Sequence, residues 1–270
     1  MQKRKFFISV VSLLLCALFI FGACSVDKTE DGTTNEAGEV IDAGGQGEST
    51  TQPVTQPPVR KPSTEKLIAL TYDDGPNPST TNRILTALKK NNSVATFFVV
   101  GNRIDSGVDT IRKAIDMGCE IANHTYSHAF NGALYKSVDN FINSVKQQED
   151  VVFHATGIRT DVVRFPAGSY YAKYRKSSIV ALDELGYGWI DWSGNSYDSG
   201  DNNYTSAQTA NTVIWQAKQE KISVMLMHDW NRRTLGALER IVTALRKEKY
   251  LFLPLFKDSS TIGNVFPKWD

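Results

Sequence analysis

Apolar residues fall along this chain in distinct textures, and the changes between them divide it. Residues 6–23 form one continuous apolar run behind Lys3, Arg4 and Lys5. Residues 25–64 carry almost no large apolar side chain and are rich in Thr, Gly, Glu, Gln and Pro. Such a stretch cannot bury enough surface to offset its chain entropy, which predicts a disordered tether. From Lys66 onward, seven short apolar runs (67–72, 94–100, 119–122, 162–165, 187–192, 223–227 and 251–255) alternate with longer amphipathic stretches. Ile84, Leu85 and Leu88 mark a helix over 79–90, and Gly157 closes another that opens near Ser137. Thr205 is a cap for a helix through Glu220, and Leu235, Leu238, Ile241, Val242 and Leu245 give 232–249 one apolar face. Continuous apolar strands separated by helices predict an α/β domain with a parallel sheet covered on both sides. Seven such units over about 205 residues favour a β/α barrel, although an open doubly wound sheet fits the same periodicity.

The start of the chain has the marks of an export signal: basic residues, an apolar core, then small residues before a break. Phe21, Gly22, Ala23 and Cys24 resemble a bacterial lipoprotein cleavage box, in which Cys24 becomes the lipidated first residue. An uncleaved membrane anchor is the alternative, since eighteen apolar residues nearly suffice to span a bilayer. Either reading puts the folded part outside the cytoplasmic membrane, at a bacterial cell surface, with membrane lipid as a partner of the N-terminus. The expected division is therefore a signal segment over 1–23, a linker over 24–64 and a catalytic domain over 65–270.

Composition sharpens this little. A formal net charge of +1 gives no electrostatic case for nucleic acid, and the chain is expected to act as a monomer. Of the three cysteines only Cys119 belongs to the globular part, so that part holds no disulfide and Cys119 is expected to be buried packing.

The chemistry stands at the ends of the apolar runs, where β/α barrels place their catalytic groups. After the first run come two adjacent carboxylates, Asp73 and Asp74, then the strand breakers Gly75 and Pro76, which let both acids turn toward one point. A solvated Asp-Gly-Pro turn is the ordinary alternative. After the third run, His124 and His128 would share a face if their segment is helical, a spacing suited to holding one metal ion. Two imidazoles and one carboxylate leave a position open for water, as catalytic sites need. One of the two acids supplies that carboxylate and the other is free for acid–base work; the spacing leaves open which. The fourth run leads into Arg164, the sixth into His228 and Asp229, and the loop after the fifth offers Asp191 and Asp198. His154 lies late in an amphipathic segment and reads as structural or surface.

Together these motifs, Thr71 to Pro76, His124 to His128, Arg164 to Gly168 and Leu226 to His228, resemble in order those of the polysaccharide deacetylase family, carbohydrate esterase family four. The resemblance spans roughly residues 67–255. It implies a distorted barrel of seven or eight β/α units. It implies further that Asp73 is the catalytic base, that Asp74, His124 and His128 are metal ligands, and that Arg164 orients the base. His228 matches the general acid, Leu226 a wall of the acetyl pocket, and Asp198 the acid that tunes His228, although Ser199 stands where the family has Trp. Ala167 replaces a usual Tyr whose backbone N–H serves the oxyanion, which Ala can also supply. Tyr170, Tyr171, Trp192 and Trp230 are candidates to stack on sugar rings. Family habit implies zinc, while the donor set also accepts cobalt, nickel or iron. The expected reaction is hydrolysis of N-acetyl groups on N-acetylglucosamine in a cell-wall polysaccharide, foremost peptidoglycan. An O-acetyl esterase on xylan and a noncatalytic glycan-binding lipoprotein are the competing expectations; the intact set of six site residues argues against the latter.

Overall fold

The computed structural model describes residues 65–200 and 203–257. The export signal, Cys24, the linker over 24–64 and the last thirteen residues fall outside that range. Among the described residues no helix is long and apolar enough to cross a membrane.

Eight strands form one parallel sheet: β1 (Lys66–Gly75), β2 (Thr96–Val99), β3 (Glu120–Asn123), β4 (Val162–Val163), β5 (Gly188–Trp189), β6 (Gly194–Asn195), β7 (Ile222–His228) and β8 (Tyr250–Phe252). Their order is β5-β4-β3-β2-β1-β7-β6. β1 is the spine of the sheet. One edge runs along β7 for its whole length, while the other meets β8 at Lys66–Ile68 and β2 at Thr71–Gly75. β8 thus wedges in beside β1 at the bottom of the sheet, and the backbone N–H of Leu255 beyond it donates to Thr96 Oγ1 on β2. The sheet curls into the expected distorted (β/α) barrel. Six helices cover it: α1 (Pro78–Lys90), α2 (Ile104–Asp116), α3 (Val138–Thr156), α4 (Arg175–Glu184), α5 (Ser206–Ala217) and α6 (Arg232–Lys247).

The helices end where local chemistry says they should. Asn77, Ser137 and Thr205 accept backbone N–H groups at the starts of α1, α3 and α5, and Gln208 completes a capping box with Thr205. Gly157 closes α3 in the left-handed conformation, at φ 77°.

Alternation along the strands sorts the core. Ile68, Leu70 and Tyr72 of β1 pack outward with Ile84, Leu88, Leu238 and Ile241 of the helices. Ala69 instead joins Phe98, Ala122, Val162 and Val224 of other strands, and Ile190 just beyond β5, in an inner cluster. Since every second side chain shares a face, Thr71 and Asp73 continue the inner row above Ala69. The parallel register carries that row across the sheet. Val224, Leu226 and His228 of β7 stand beside Ala69, Thr71 and Asp73. Two residues beyond Ala122 comes His124, and two beyond Val162 comes Arg164. Cys119 is buried and unpaired, as packing.

Candidate active site

Adjacent residues of a strand point to opposite faces, so Asp73 and Asp74 should diverge. They do not, because the strand is broken between them. The pairing with β2 slips between Asp73 and Gly75, and Asp74 takes a left-handed conformation at φ 71°. Both carboxylates therefore reach the same mouth. Four of the seven non-glycine residues with positive φ among the described residues lie here: Asp74, Thr125, His128 and Ala167. Such strain concentrates where surrounding packing holds residues in a working geometry.

His124 and His128 are brought together without a helix. The chain from 124 to 128 is a loop that turns at Thr125, φ 64°, and His128, φ 54°. The Asn123 side chain shapes it by accepting the Thr125 N–H at 2.9 Å, and Thr125 Oγ1 accepts the His128 N–H at 3.3 Å. Asp74 Oδ1 lies 3.5 Å from His124 Nε2 and 3.1 Å from His128 Nε2. One donor atom from each of the three residues falls within a span of 4.8 Å. Their protonation suits a cation. His124 Nδ1 sits 2.9 Å from the Arg164 carbonyl, so that nitrogen carries the proton and Nε2 presents its lone pair toward Asp74. Burial and the adjacent His124 ring push the His128 imidazole down to about 4, leaving it neutral. Burial works against ionisation of Asp74, but the imidazoles set around it, His124 foremost, outweigh that. They hold that carboxyl below the ordinary carboxylate range. The Trp230 indole N–H donates to Asp74 Oδ2 at 3.1 Å and fixes its rotation.

Asp73 is sealed in beside this cluster. Arg164, wholly buried, donates to Asp73 Oδ1 at 2.8 Å and to Thr71 Oγ1 at 2.6 Å. It also donates to the carbonyls of Ile190 at 3.3 Å and Asp191 at 3.0 Å, and its guanidinium lies 4.0 Å over the Phe98 ring. A buried guanidinium needs this many acceptors. Asp73 Oδ2 remains 3.7 Å from His124 Nε2, on the side of the metal candidates.

His228 faces Asp73 across the β1–β7 ladder. Its Nδ1 lies 2.7 Å from Asp198 Oδ1, and its backbone N–H donates to Asp198 Oδ2 at 2.8 Å. Thr234 Oγ1 donates to the same carboxylate and Asn231 to the Asp198 carbonyl, so the acid is held on all sides. Burial pushes His228 down, but the Asp198 bond and charge more than reverse this and raise it to about 9. Nε2, 4.0 Å from Asp74 Oδ2, points into the mouth.

The other expected contacts rim this mouth. Leu226 is buried one inner position below His228. Ala167 is exposed at φ 63°, and its N–H has no hydrogen-bond partner among the described residues. Gly168 follows at φ 88°, where a Cβ would come 2.9 Å from the Trp192 ring, so that indole packs closely against the loop. Tyr170 is 71% exposed, with its ring under the Arg175 guanidinium at 4.4 Å. His154 is an exposed helix residue far along α3. Four partners were given no role by the sequence. Asp191 holds the 165–172 loop by accepting from Ser169 N–H and Oγ. Thr71 and Thr234 supply hydroxyls, and Arg103 donates to the Asp74 carbonyl. Thr71 had a visible signal in its place two residues before Asp73, and Asp191 in standing on the same loop as Asp198.

Residues 60–187 match the sequence model of the family described as "Polysaccharide deacetylase". The chain is 33% identical over 188 residues to the peptidoglycan-N-acetylmuramic acid deacetylase PdaC of Bacillus subtilis, covering 69% of this chain and 37% of that protein. The chain belongs to the polysaccharide deacetylase family. Another relative within the family, the peptidoglycan-N-acetylglucosamine deacetylase PgdA of Listeria monocytogenes, is 28% identical over 216 residues, 79% of this chain and 44% of that one. The chain therefore spans less than half the length of these two relatives. Among solved family structures, the catalytic domain of peptidoglycan N-acetylglucosamine deacetylase from Eubacterium rectale superposes with a TM-score of 0.68 at 29% identity. That match covers 77% of this chain and 96% of that one.

Proposed function

We propose that this protein is a metal-dependent hydrolase that removes N-acetyl groups from N-acetylglucosamine in a cell-wall polysaccharide, foremost peptidoglycan, and releases acetate. One observation carries the reading: a carboxylate clamped by a buried Arg and an imidazole clamped by a buried Asp face the same three-donor cluster from neighbouring strands. Hydrolysis of an amide needs a base for the attacking water and an acid for the leaving amine, in reach of one carbonyl.

Asp74, His124 and His128 would hold the ion, for which zinc is proposed. A divalent cation there supplies Lewis-acid polarisation of the acetyl carbonyl and activates water. Asp73 takes the proton of the attacking water, and Arg164 keeps the receiving carboxylate fixed. The free N–H of Ala167 donates to the developing oxyanion, a role worth about 10²–10³ in rate where it has been removed in other hydrolases. His228, held protonated by Asp198, gives its proton to the sugar nitrogen as the C–N bond breaks. Leu226 walls the space for the acetyl methyl, and Tyr170 and Trp192 are placed to meet sugar rings. Cys24 is proposed as the lipidated residue that tethers the enzyme outside the cytoplasmic membrane.

The test is acetate release from peptidoglycan, chitin oligosaccharides and acetylated xylan by the zinc-loaded protein, with and without chelator. Chelator-sensitive release from the amide substrates is expected. Release from xylan alone would make the protein an O-acetyl esterase, and no release from any of them would sink the enzyme reading.

A further inference from the structure

Beside Asp74, one of the metal candidates, the mouth opens into a cavity of about 830 Å³. Its walls include Asp74, Asn77, Ser79, Arg103, Ser106 and Trp230. Trp230 lines the cavity and neighbours His228. Its ring centroid lies 5.6 Å from that of His228, its N–H is committed to Asp74, and 39% of the residue is exposed. A sugar stacked on this indole would carry its chain neighbour from the reaction centre into the cavity.

The cavity is charged in an unusual way. Its lining contains one cation, Arg103, and one carboxylate, Asp74. That carboxylate is already shared among His124, His128 and Trp230. Arg103 is exposed, uses one N–H on the Asp74 carbonyl, and forms no ion pair with any acid among the described residues. A guanidinium has five donors in a planar fork suited to a carboxylate, so most of this one's capacity is unspent. Its position also costs energy. It adds positive charge next to a site read as holding a divalent cation, an arrangement that favours an arriving anion.

We propose that this cavity is a binding subsite for a carboxylate borne on the sugar unit next to the acetamido sugar, with Arg103 as the residue that selects for it. The proposal rests on the deacetylase reading above and narrows its substrate class to acidic glycans. Neutral chitin-like or xylan chains would leave Arg103 unpaired and gain nothing from it.

Three probes separate the charge from the sugar: peptide-free glycan strands with free lactyl carboxylates, the same strands with those carboxylates methyl-esterified, and chitotetraose. Affinity is measured by calorimetry on the zinc-loaded full chain carrying Asp73→Asn, which binds without turnover, and kcat/KM on the chain with Asp73 intact. The acidic strands should bind about tenfold more tightly than their esters at low salt, with the gap shrinking as ionic strength rises. Arg103→Gln should bring the two together. Equal affinity for acid and ester in the parent chain would overturn the subsite. So would an equal loss on both in Arg103→Gln, which would make Arg103 a support for the Asp74 backbone. Absence of acetate release from every probe refutes the deacetylase reading, while the binding series still decides the subsite.

Discussion

Replacing Asp198 by Asn should move the alkaline limit of catalysis by more than two pH units while leaving the geometry in place. His228 is buried, which disfavours its charged form, and the Asp198 carboxylate at 2.7 Å, with lesser help from the Asp73 and Asp74 charges, lifts it from 6.5 to about 9. Asn keeps a side-chain acceptor for the Thr234 hydroxyl but removes that charge, so the imidazole falls to about its ordinary 6.5 or lower. At pH 8 the parent imidazole is then about 90% protonated and the variant about 3%, so kcat should drop roughly thirtyfold from proton occupancy alone. At pH 6 both are largely protonated and the two rates should nearly meet. Stability follows the same pair. Because the folded pKa is raised, the pair stabilises fully below the unfolded value of 6.5, and the contribution is lost as pH rises through about 9. The interval from 6.5 to about 9, at 1.36 kcal/mol per pH unit, amounts to roughly 3 kcal/mol for a residue as enclosed as His228. The assay is kcat against pH for both proteins at the same metal loading, with urea unfolding at pH 6 and pH 9.5 alongside. An unchanged alkaline limb in the variant would refute the assignment of His228 as the acid governed by Asp198.

Arg164→Met strips a buried partner from Asp73, and leaving one charge of a buried pair uncompensated should cost about 3–5 kcal/mol in urea unfolding. Arg164→Lys keeps the charge but cannot serve Thr71, Asp73 and two carbonyls at once, so it should fall between the two in both stability and kcat. His124→Ala should lower bound zinc from about one equivalent to near none at micromolar free metal, read by elemental analysis, with its fold intact by circular dichroism. Gly75→Ala would place a Cβ 2.1 Å from Asp229 Oδ2, these two residues being the chain neighbours of Asp74 and His228. A loss of about 1–3 kcal/mol, seen as a lower melting temperature, is expected together with weaker metal binding.

The strands with apolar runs were legible because burial on both faces writes itself as continuous hydrophobicity. All seven runs correspond to strands, within a few residues at each end. β6 left no such trace. It is two residues long, Gly194 and Asn195, and it pairs with β7 through backbone alone because a Cβ on Gly194 would strike Met225. α2 and α4 also went unmarked by the stripes that revealed the other four helices. In the site, residue type and order sufficed to gather Asp74, His124, His128, Asp73, Arg164 and His228. Spacing misleads about how the histidines meet: an i, i+4 pair suggests a helix, and the chain uses two left-handed turns instead. Asp198 faces His228 despite the Ser199 departure beside it, since the contact needs only its carboxylate and the Thr234 and Asn231 side chains around it. Arg103 was invisible because nothing in a one-dimensional pattern places the start of α2 over the end of β1.

Asp73 and His228 are register partners in one parallel ladder. Their separation is thus a lattice constant of the sheet, about the 4.8 Å between neighbouring strands, and no loop sets it. A mutation that tried to widen it would have to break the hydrogen bonds of the central strand pair. The loops around the mouth, 125–137, 165–175 and the turn at Trp230, hang from the same sheet without bearing on that distance. Such a molecule divides its inheritance in two. Its loops can drift, or be exchanged by an engineer, while the spacing between Asp73 and His228 passes on unaltered.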